Sequence, residues 1–253
     1  MTQSTTSDNL KALFAYPFQD TNWINKFLIG SLVVLAGYII PLIPFIVVYG
    51  YMAQIMRRII VERGEPYLPE WDDWGKMMMD GLKLLGALLI YALPIFVLLC
   101  VAYLFLFFGI GLSASLEGSG DAPSGLAAVG SLVGSLGFFC IFGVVMIFAL
   151  AVSLVSPVML GHIIATDEFS AAFRFSEWWS IFRANLGGFF IAYVIILAIS
   201  SAFSFALTLI YLTVILCCLL PVIMGPATYY MLLIAAAVFG QAYRDGVDKL
   251  QNV

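Results

Sequence analysis

ANLGGFFIAYVIILAISSAFSFALTLIYLTVILCCLLPVIMGPATYYMLLIAAAVFGQAY, residues 184–243, contains no Asp, Glu, Lys or Arg. A helix that crosses a bilayer needs about 20 predominantly apolar residues. This stretch is therefore long enough for two spans and a turn. Three further stretches, 27–56, 84–116 and 122–166, also lack all four charged residue types. Strict apolar/polar alternation is absent, so the spans read as helices rather than barrel strands.

Composition agrees. The 253 residues are 63% hydrophobic and 10% charged, whereas a soluble domain carries about 25% charged residues. The expected class is an all-α, polytopic integral membrane protein. The N-terminus, MTQSTTSDNLKALFAYPF, lacks the basic start and short apolar core of a signal peptide. Cys100, Cys140, Cys217 and Cys218 lie in apolar stretches without zinc or disulfide-framework spacing, and are expected to pack. A net charge of −4 without a basic patch excludes a nucleic-acid partner.

The eleven basic residues set the topology. They fall before residue 27, in the connector 57–83, in 174–183 and after residue 243, while 112–125 and 217–226 have none. Basic residues mark the cytoplasmic side of short loops. Both termini are thus expected in the cytoplasm, on the cell membrane of a bacterium or archaeon. Both flanks of 27–56 then lie on one side, so the stretch crosses an even number of times. Pro41 and Pro44 supply the break. The reading is six spans in three hairpins: about 27–63, 82–165 and 186–244. A single Pro-kinked span over 27–56, giving five in all, is the alternative.

Each hairpin follows an aromatic-acidic segment: YPFQDTNWINKFLIG, LPEWDDWGKMMMDG and FRFSEWWSIFRANLGG. Trp23 and Trp74 each stand seven residues before a glycine, Gly30 and Gly81. The second helices end alike, in YGYMAQIMRR, LGHIIATDE and FGQAYRDG. Placed on a helix over about 69–81, Trp71, Trp74, Met78, Leu82 and Leu85 form one stripe, with Glu70, Asp73, Lys76 and Asp80 on or near the other face. A second interfacial helix is expected over about 167–184, with Ala171, Phe175, Trp178 and Phe182 apolar beside Arg174 and Glu177. Trp23, Trp71, Trp74, Trp178 and Trp179 are the expected membrane-interface anchors. The candidate interaction surface is Glu70, Trp71, Asp72, Asp73, Trp74, Arg174, Glu177 and Trp178. Acids near anionic lipid are expected to pair with Arg57, Arg58 and Arg63, or with a partner protein.

Chemical motifs are sparse. Glu70, Asp72, Asp73 and Asp80 could hold a metal or do acid–base work, but no second cluster, HExxH or DxDxDG accompanies them. No metal, cofactor or catalytic residue is therefore assigned. His162 reads as a hydrogen-bonded packing residue at the end of a span. No Asp, Glu, Lys or Arg lies inside a predicted span, which argues against ion coupling. Gly130 and Gly134 give small-xxx-small spacing for close helix packing within the chain, with homo-oligomerisation as the second reading. Ser200, Ser201, Ser204 and Thr208 could line a cavity or bond back to their own helix.

YPFQDTNW, GYMAQIMRR, LPEWDDWGKMMMDGLK and FGQAYR resemble the prokaryotic membrane family known as domain of unknown function 4013, from about Leu10 to Asp245. EWDDWG is the most specific part. The resemblance implies a bacterial or archaeal cytoplasmic-membrane protein and brings no activity with it. On the residues, the expected function is a non-catalytic membrane subunit or scaffold that binds another membrane protein or organises lipid. A carrier or channel for neutral or lipid-like molecules is the alternative, and a membrane-embedded lipid-modifying enzyme the third.

Overall fold

The computed structural model describes residues 6–40, 42–118, 124–212 and 220–251. These form eight α-helices: α1 (Thr6–Ala15), α2 (Trp23–Ile39), α3 (Ile43–Ile60), α4 (Trp74–Gly118), α5 (Ser124–Thr166), α6 (Phe175–Ala184), α7 (Leu186–Leu212) and α8 (Leu220–Gln251). Short 3-10 turns cover Tyr16–Phe18 and Phe169–Phe173. No strand occurs among the described residues. The chain divides into two compact units, one of residues 1–86 and 157–253, the other of residues 87–156.

Five helical segments are long and apolar enough to cross a membrane: Ile43–Ile60, Trp74–Leu116, Ala128–Thr166, Leu186–Ile210 and Val222–Gln251. The protein is a multi-pass membrane protein. The candidate sixth span is broken, because Lys11–Phe18 and Trp23–Ile39 meet at 90°. Asp20 makes the bend: its carboxylate accepts the Asn22 amide at 2.8 Å and its carbonyl accepts the Trp23 amide at 3.2 Å. A side chain that bonds its own backbone two residues on replaces the helical pattern with a turn.

In the first unit, α2 and α3 pack together and are separated between Ile39 and Ile43; Pro41, expected to supply the break with Pro44, lies outside the described residues. Ile40 is extended, at φ −113° and ψ 98°, the conformation that a following proline forces by clashing with the α region. Leu42 takes φ 78° and Pro44 lies in the first turn of α3, where its missing N–H costs nothing. The second helix stops at Ile60 rather than running to residue 63. Arg63 adopts φ 58° and the Gly64 amide returns to the Arg58 carbonyl at 3.0 Å, closing the helix end.

Both flanks of this helix pair lie together, since Lys26 reaches Glu70 and the Leu68 carbonyl. The pair therefore enters and leaves on one side. At 17 and 18 residues its arms are about 25–27 Å long, near the lower limit for a hydrocarbon core of about 30 Å.

The central element of this unit is α8, which packs against α1, α2, α3, α6 and α7. Small residues permit the contacts. A Cβ on Gly30 would fall 2.1 Å from the Tyr229 ring, and one on Gly161 would fall 2.8 Å from the Tyr243 ring. At the α3–α4 crossing, a Cβ on Gly50 would meet the Met77 carbonyl oxygen at 1.7 Å, and one on Gly81 the Ile46 oxygen at 1.7 Å. Only glycine fits there. The turn expected over 217–226 is helical from Leu220 onward, with Pro226 inside α8. Residues 213–219, with Cys217 and Cys218, lie outside the described set.

The second unit contains the facing parts of α4 and α5. Gly109 and Gly134 sit back to back, so that a Cβ on Gly134 would lie 2.6 Å from the Gly109 Cα. Gly130 faces Leu112 and Ser113, and Tyr103 packs on Phe138 with centroids 5.5 Å apart. Gly130 and Gly134 thus serve a contact within the chain. Cys100 and Cys140 are exposed, contrary to the packing role expected of them. Apolar side chains on a lipid-facing surface need no protein partner.

Candidate functional site

The segment before α4 departs from the expected interfacial helix. Residues 63–70 have no helical structure, and α4 begins only at Trp74. Pro66 and Pro69 fix their own φ and remove two amide donors. The residues before them are pushed out of the α region. What forms instead is an extended strap stitched to unit 1. The Leu68 side chain is fully buried, and the Pro69 carbonyl accepts the Tyr51 hydroxyl at 2.9 Å.

Trp71 is not on the helical stripe with Trp74. Its indole N–H donates to the Lys26 carbonyl at 2.9 Å and its ring lies flat on Tyr51. Lys26, 6% exposed, ties the strap from the other side. Its ammonium contacts Asp20 at 2.6 Å, Glu70 at 2.7 Å and the Leu68 carbonyl at 3.0 Å. The lysine holds the Asp20 carboxyl below its ordinary value, chiefly through that hydrogen bond. Only after this does the chain turn helical. Asp73 Oδ1 accepts the Lys76 amide at 3.0 Å, the N3 bond of an N-cap, and Asp72 Oδ1 accepts the Asp73 amide at 2.9 Å.

The four carboxylates of the charged segment therefore go to different partners. Glu70 pairs with Lys26, Asp72 and Asp73 accept backbone amides, and Asp80 pairs with Arg57 at 2.7 Å. Asp80 is 6% exposed, and its neighbour Asp167 binds Lys83 at 2.9 Å and Arg57 at 3.4 Å. The Lys83 ammonium is the main cause that lowers the Asp167 carboxyl from its ordinary value. Arg57 thus finds an acid as expected, whereas Arg58 pairs with Glu62 and Arg63 with Asp248. Among the described residues no group of three or more His, Cys, Asp or Glu is placed to hold a metal.

The segment 167–184 also divides. After the 3-10 turn the backbone breaks at Arg174, at φ −81° and ψ 67°, and α6 covers only Phe175–Ala184. Trp178 is fully buried and donates to the Ala172 carbonyl at 3.2 Å. It can be neither a membrane anchor nor part of an interaction surface. Trp71 is half-buried, with its ring against Tyr51. Trp74 and Trp179 are exposed and Trp23 is half-buried. Of the candidate surface, Glu70, Asp72, Asp73, Trp74, Arg174 and Glu177 remain outside.

His162 is a buried junction. Nε2 lies 3.0 Å from Glu177 Oε2 and Nδ1 lies 2.8 Å from the Tyr243 hydroxyl. An ionised carboxylate only accepts, so Nε2 carries the proton and, in a neutral ring, Nδ1 accepts from tyrosine. Glu177 also has Arg174 at 3.9 Å, and Arg174 binds Glu168. Asn185 fastens the end of α6 to α8, donating to the Ala242 carbonyl at 2.8 Å and accepting from Lys249 at 2.6 Å. In the polar patch of α7, Ser200 is half-buried. Ser201, Ser204 and Thr208 are exposed, and Thr208 bonds back to the Ser204 carbonyl at 2.9 Å.

Sequence reasoning missed Lys26, Tyr51 and Asn185. Lys26 stood at the edge of an apolar stretch and was legible only as a topology mark. Asp73 was findable, because an aspartate directly before an apolar helical run is an N-cap signal.

The model of the family described as Protein of unknown function (DUF4013) matches residues 33–212. The chain belongs to that family. Within the match lie GYMAQIMRR and LPEWDDWGKMMMDGLK, whereas YPFQDTNW and FGQAYR fall outside it. The matched interval is thus shorter than the stretch from Leu10 to Asp245 over which the resemblance was expected. No curated protein and no solved structure matches the chain.

Proposed function

We propose that this protein is a non-catalytic membrane subunit or scaffold that binds another membrane protein or organises lipid. It would reside in the cytoplasmic membrane of a bacterium or archaeon. The observation that carries this reading is the dispersal of the acidic segment. Glu70, Asp72, Asp73 and Asp80 are each committed to a separate structural contact. An acid–base or metal mechanism needs such groups to converge on one reacting atom.

The strap instead holds Asp72, Asp73 and Trp74 outward on a fixed backbone. A preorganised surface binds without the cost of ordering it. The carrier alternative draws less support from α7, where Ser201, Ser204 and Thr208 are exposed. Burial and pairing also draw the N-terminal segment, the strap, residue 167 and the end of α8 together. These are the segments rich in basic residues, which favours cytoplasmic termini.

The test is co-purification from native membranes in mild detergent, with the bound proteins identified by mass spectrometry. Trp74→Ala, at an exposed side chain, should release a defined partner while the melting temperature stays near the wild-type value. A stable protein that carries no stoichiometric partner, with or without the substitution, would sink the partner arm.

A further inference from the structure

Two unassigned concavities flank the 90° bend of the first unit. One is a polar cavity of about 370 Å³ lined by Tyr16, Gln19, Glu65, Gln241, Arg244 and Asp245. The other is an apolar groove of about 620 Å³ that includes Phe18, Phe27, Val222, Pro226, Ala227 and Tyr230. Phe18 and Gln19 are adjacent in the chain, one in each. On α8, Tyr230 and Gln241 are eleven positions apart, three turns plus about 20°, so both cavities open on one helix face about 16 Å apart along its axis. The N-terminal arm crosses that face between them: Tyr16 donates to the Leu233 carbonyl at 2.8 Å, and Tyr230 donates to the Phe14 carbonyl at 3.1 Å.

The groove lies on the charge-free part of α8, and the polar cavity lies where charge resumes at Arg244. That change marks the boundary between hydrocarbon and water. The polar cavity holds one guanidinium and two carboxylates, with Arg244 Nε 3.8 Å from Asp245 Oδ1. A simple anion there would face two carboxylates, and a simple cation would face the guanidinium. A ligand carrying both charges satisfies all three. Guanidinium suits phosphate oxygens. Carboxylates and the two carboxamide oxygens are acceptors, which an N–H group can satisfy and a quaternary ammonium cannot.

We propose that the bend is a lipid site for a phospholipid whose headgroup bears a primary ammonium. The phosphate lies against Arg244, the ammonium against Glu65 and Asp245, and an acyl chain in the groove beside Phe18 and Tyr230. The inference deepens the lipid-organising arm of the proposed function and rests on that reading.

The experiment places the full chain in nanodiscs of equal phosphatidylethanolamine and phosphatidylcholine, and counts retained lipids by native mass spectrometry. Wild type should retain phosphatidylethanolamine over phosphatidylcholine by about tenfold, the worth of one charge-assisted hydrogen bond. Glu65→Gln with Asp245→Asn should bring the ratio to about one. Arg244→Gln should lower retention of both lipids, and Ala227→Phe should lower it by filling the groove. Should the double variant melt below wild type, Glu65→Gln alone reads the same ratio. Soluble phosphoethanolamine should not displace the lipid. If it does, the cavity takes a soluble ligand and the lipid assignment falls. An equal wild-type ratio, or one unchanged by the carboxylate variants, also overturns the site. Retention of a protein partner in that case would leave the scaffold reading standing, so the two failures are distinguishable.

Discussion

The indole ring of Trp71 lies on the phenol ring of Tyr51, with centroids 4.2 Å apart and planes inclined by 15°. Each residue also spends its polar atom on backbone. Trp71 donates to the Lys26 carbonyl, and Tyr51 donates to the Pro69 carbonyl. One stacked pair thereby joins the start of α2, the middle of α3 and the strap.

Removing that stack should free the strap. Trp71→Ala is expected to cost about 3 kcal/mol, as for other large-to-small changes at packed aromatics. Trp71→Phe keeps most of the stack and loses one hydrogen bond, so about 1 kcal/mol is expected. Limited proteolysis at Glu65 and Glu70 in detergent reads the local effect. Equal protection in wild type and Trp71→Ala would show that the strap is held without the stack.

The Arg57–Asp80 pair offers a charge test. Arg57 and Asp80 side chains are 18% and 8% exposed; removing Arg57 strands Asp80, and removing Asp80 leaves Arg57 only the longer contact to Asp167. Asp80→Asn should destabilise by about 3–5 kcal/mol, whereas Arg57→Met with Asp80→Leu should recover much of the loss. Thermal melts of Arg57→Met, Asp80→Leu and the double variant measure the coupling. Additive losses would mean that the pair is not coupled.

Asp167 should make stability depend on pH in a defined direction. Its carboxyl is lowered from an ordinary value near 3.8, mainly by the Lys83 ammonium. A lowered carboxyl stabilises the fold above its unfolded value and loses that contribution as pH falls through the folded value. The stability gap between wild type and Asp167→Asn should therefore be full at neutral pH and close below about pH 4. Asp167 is well exposed, so the gap is expected to be small. A gap that widens in acid would contradict the assignment.

The glycines separate crossing points from open positions. Gly50→Ala and Gly81→Ala each drive a Cβ into backbone and should cost at least about 1–3 kcal/mol. Gly143 and Gly187 have nothing within 4 Å of an added Cβ. Their alanine variants should be neutral or gain up to about 1 kcal/mol from helix propensity. Melting temperatures of the four variants decide it, and similar losses at all four would remove the crossing-point explanation.

Membrane class, helical content and the interruption between Ile39 and Ile43 were legible because each follows from local composition. So was the pairing of Arg57 with an acid. The correspondence of Trp23 and Trp74 survives in part, as each opens a helix and the glycine seven residues on is buried at a crossing. The shared lead-in conformation does not survive. YPF forms a 3-10 turn, LPEWDD an extended strap, and FSEWWSIFRA a helix of its own. Their aromatic and acidic composition is common, but backbone conformation there depends on proline placement and on distant groups. Trp71 and Tyr51 are twenty residues apart, and Glu177 and Tyr243 reach His162 from different helices. No periodicity encodes such meetings.

The contacts of α8 bear on the order of assembly. During synthesis it emerges after α1, α2, α3, α6 and α7, each of which it joins. Until then Gly30, Gly161 and Ile181 lack the surface that they pack against. The helices of residues 87–156 are made meanwhile, between the two halves of the first unit. The early helices must therefore wait in the bilayer with the Gly30 and Gly161 faces still uncovered. A ribosome stalled before residue 220 would leave a chain that is inserted but not closed, a ready substrate for membrane proteases.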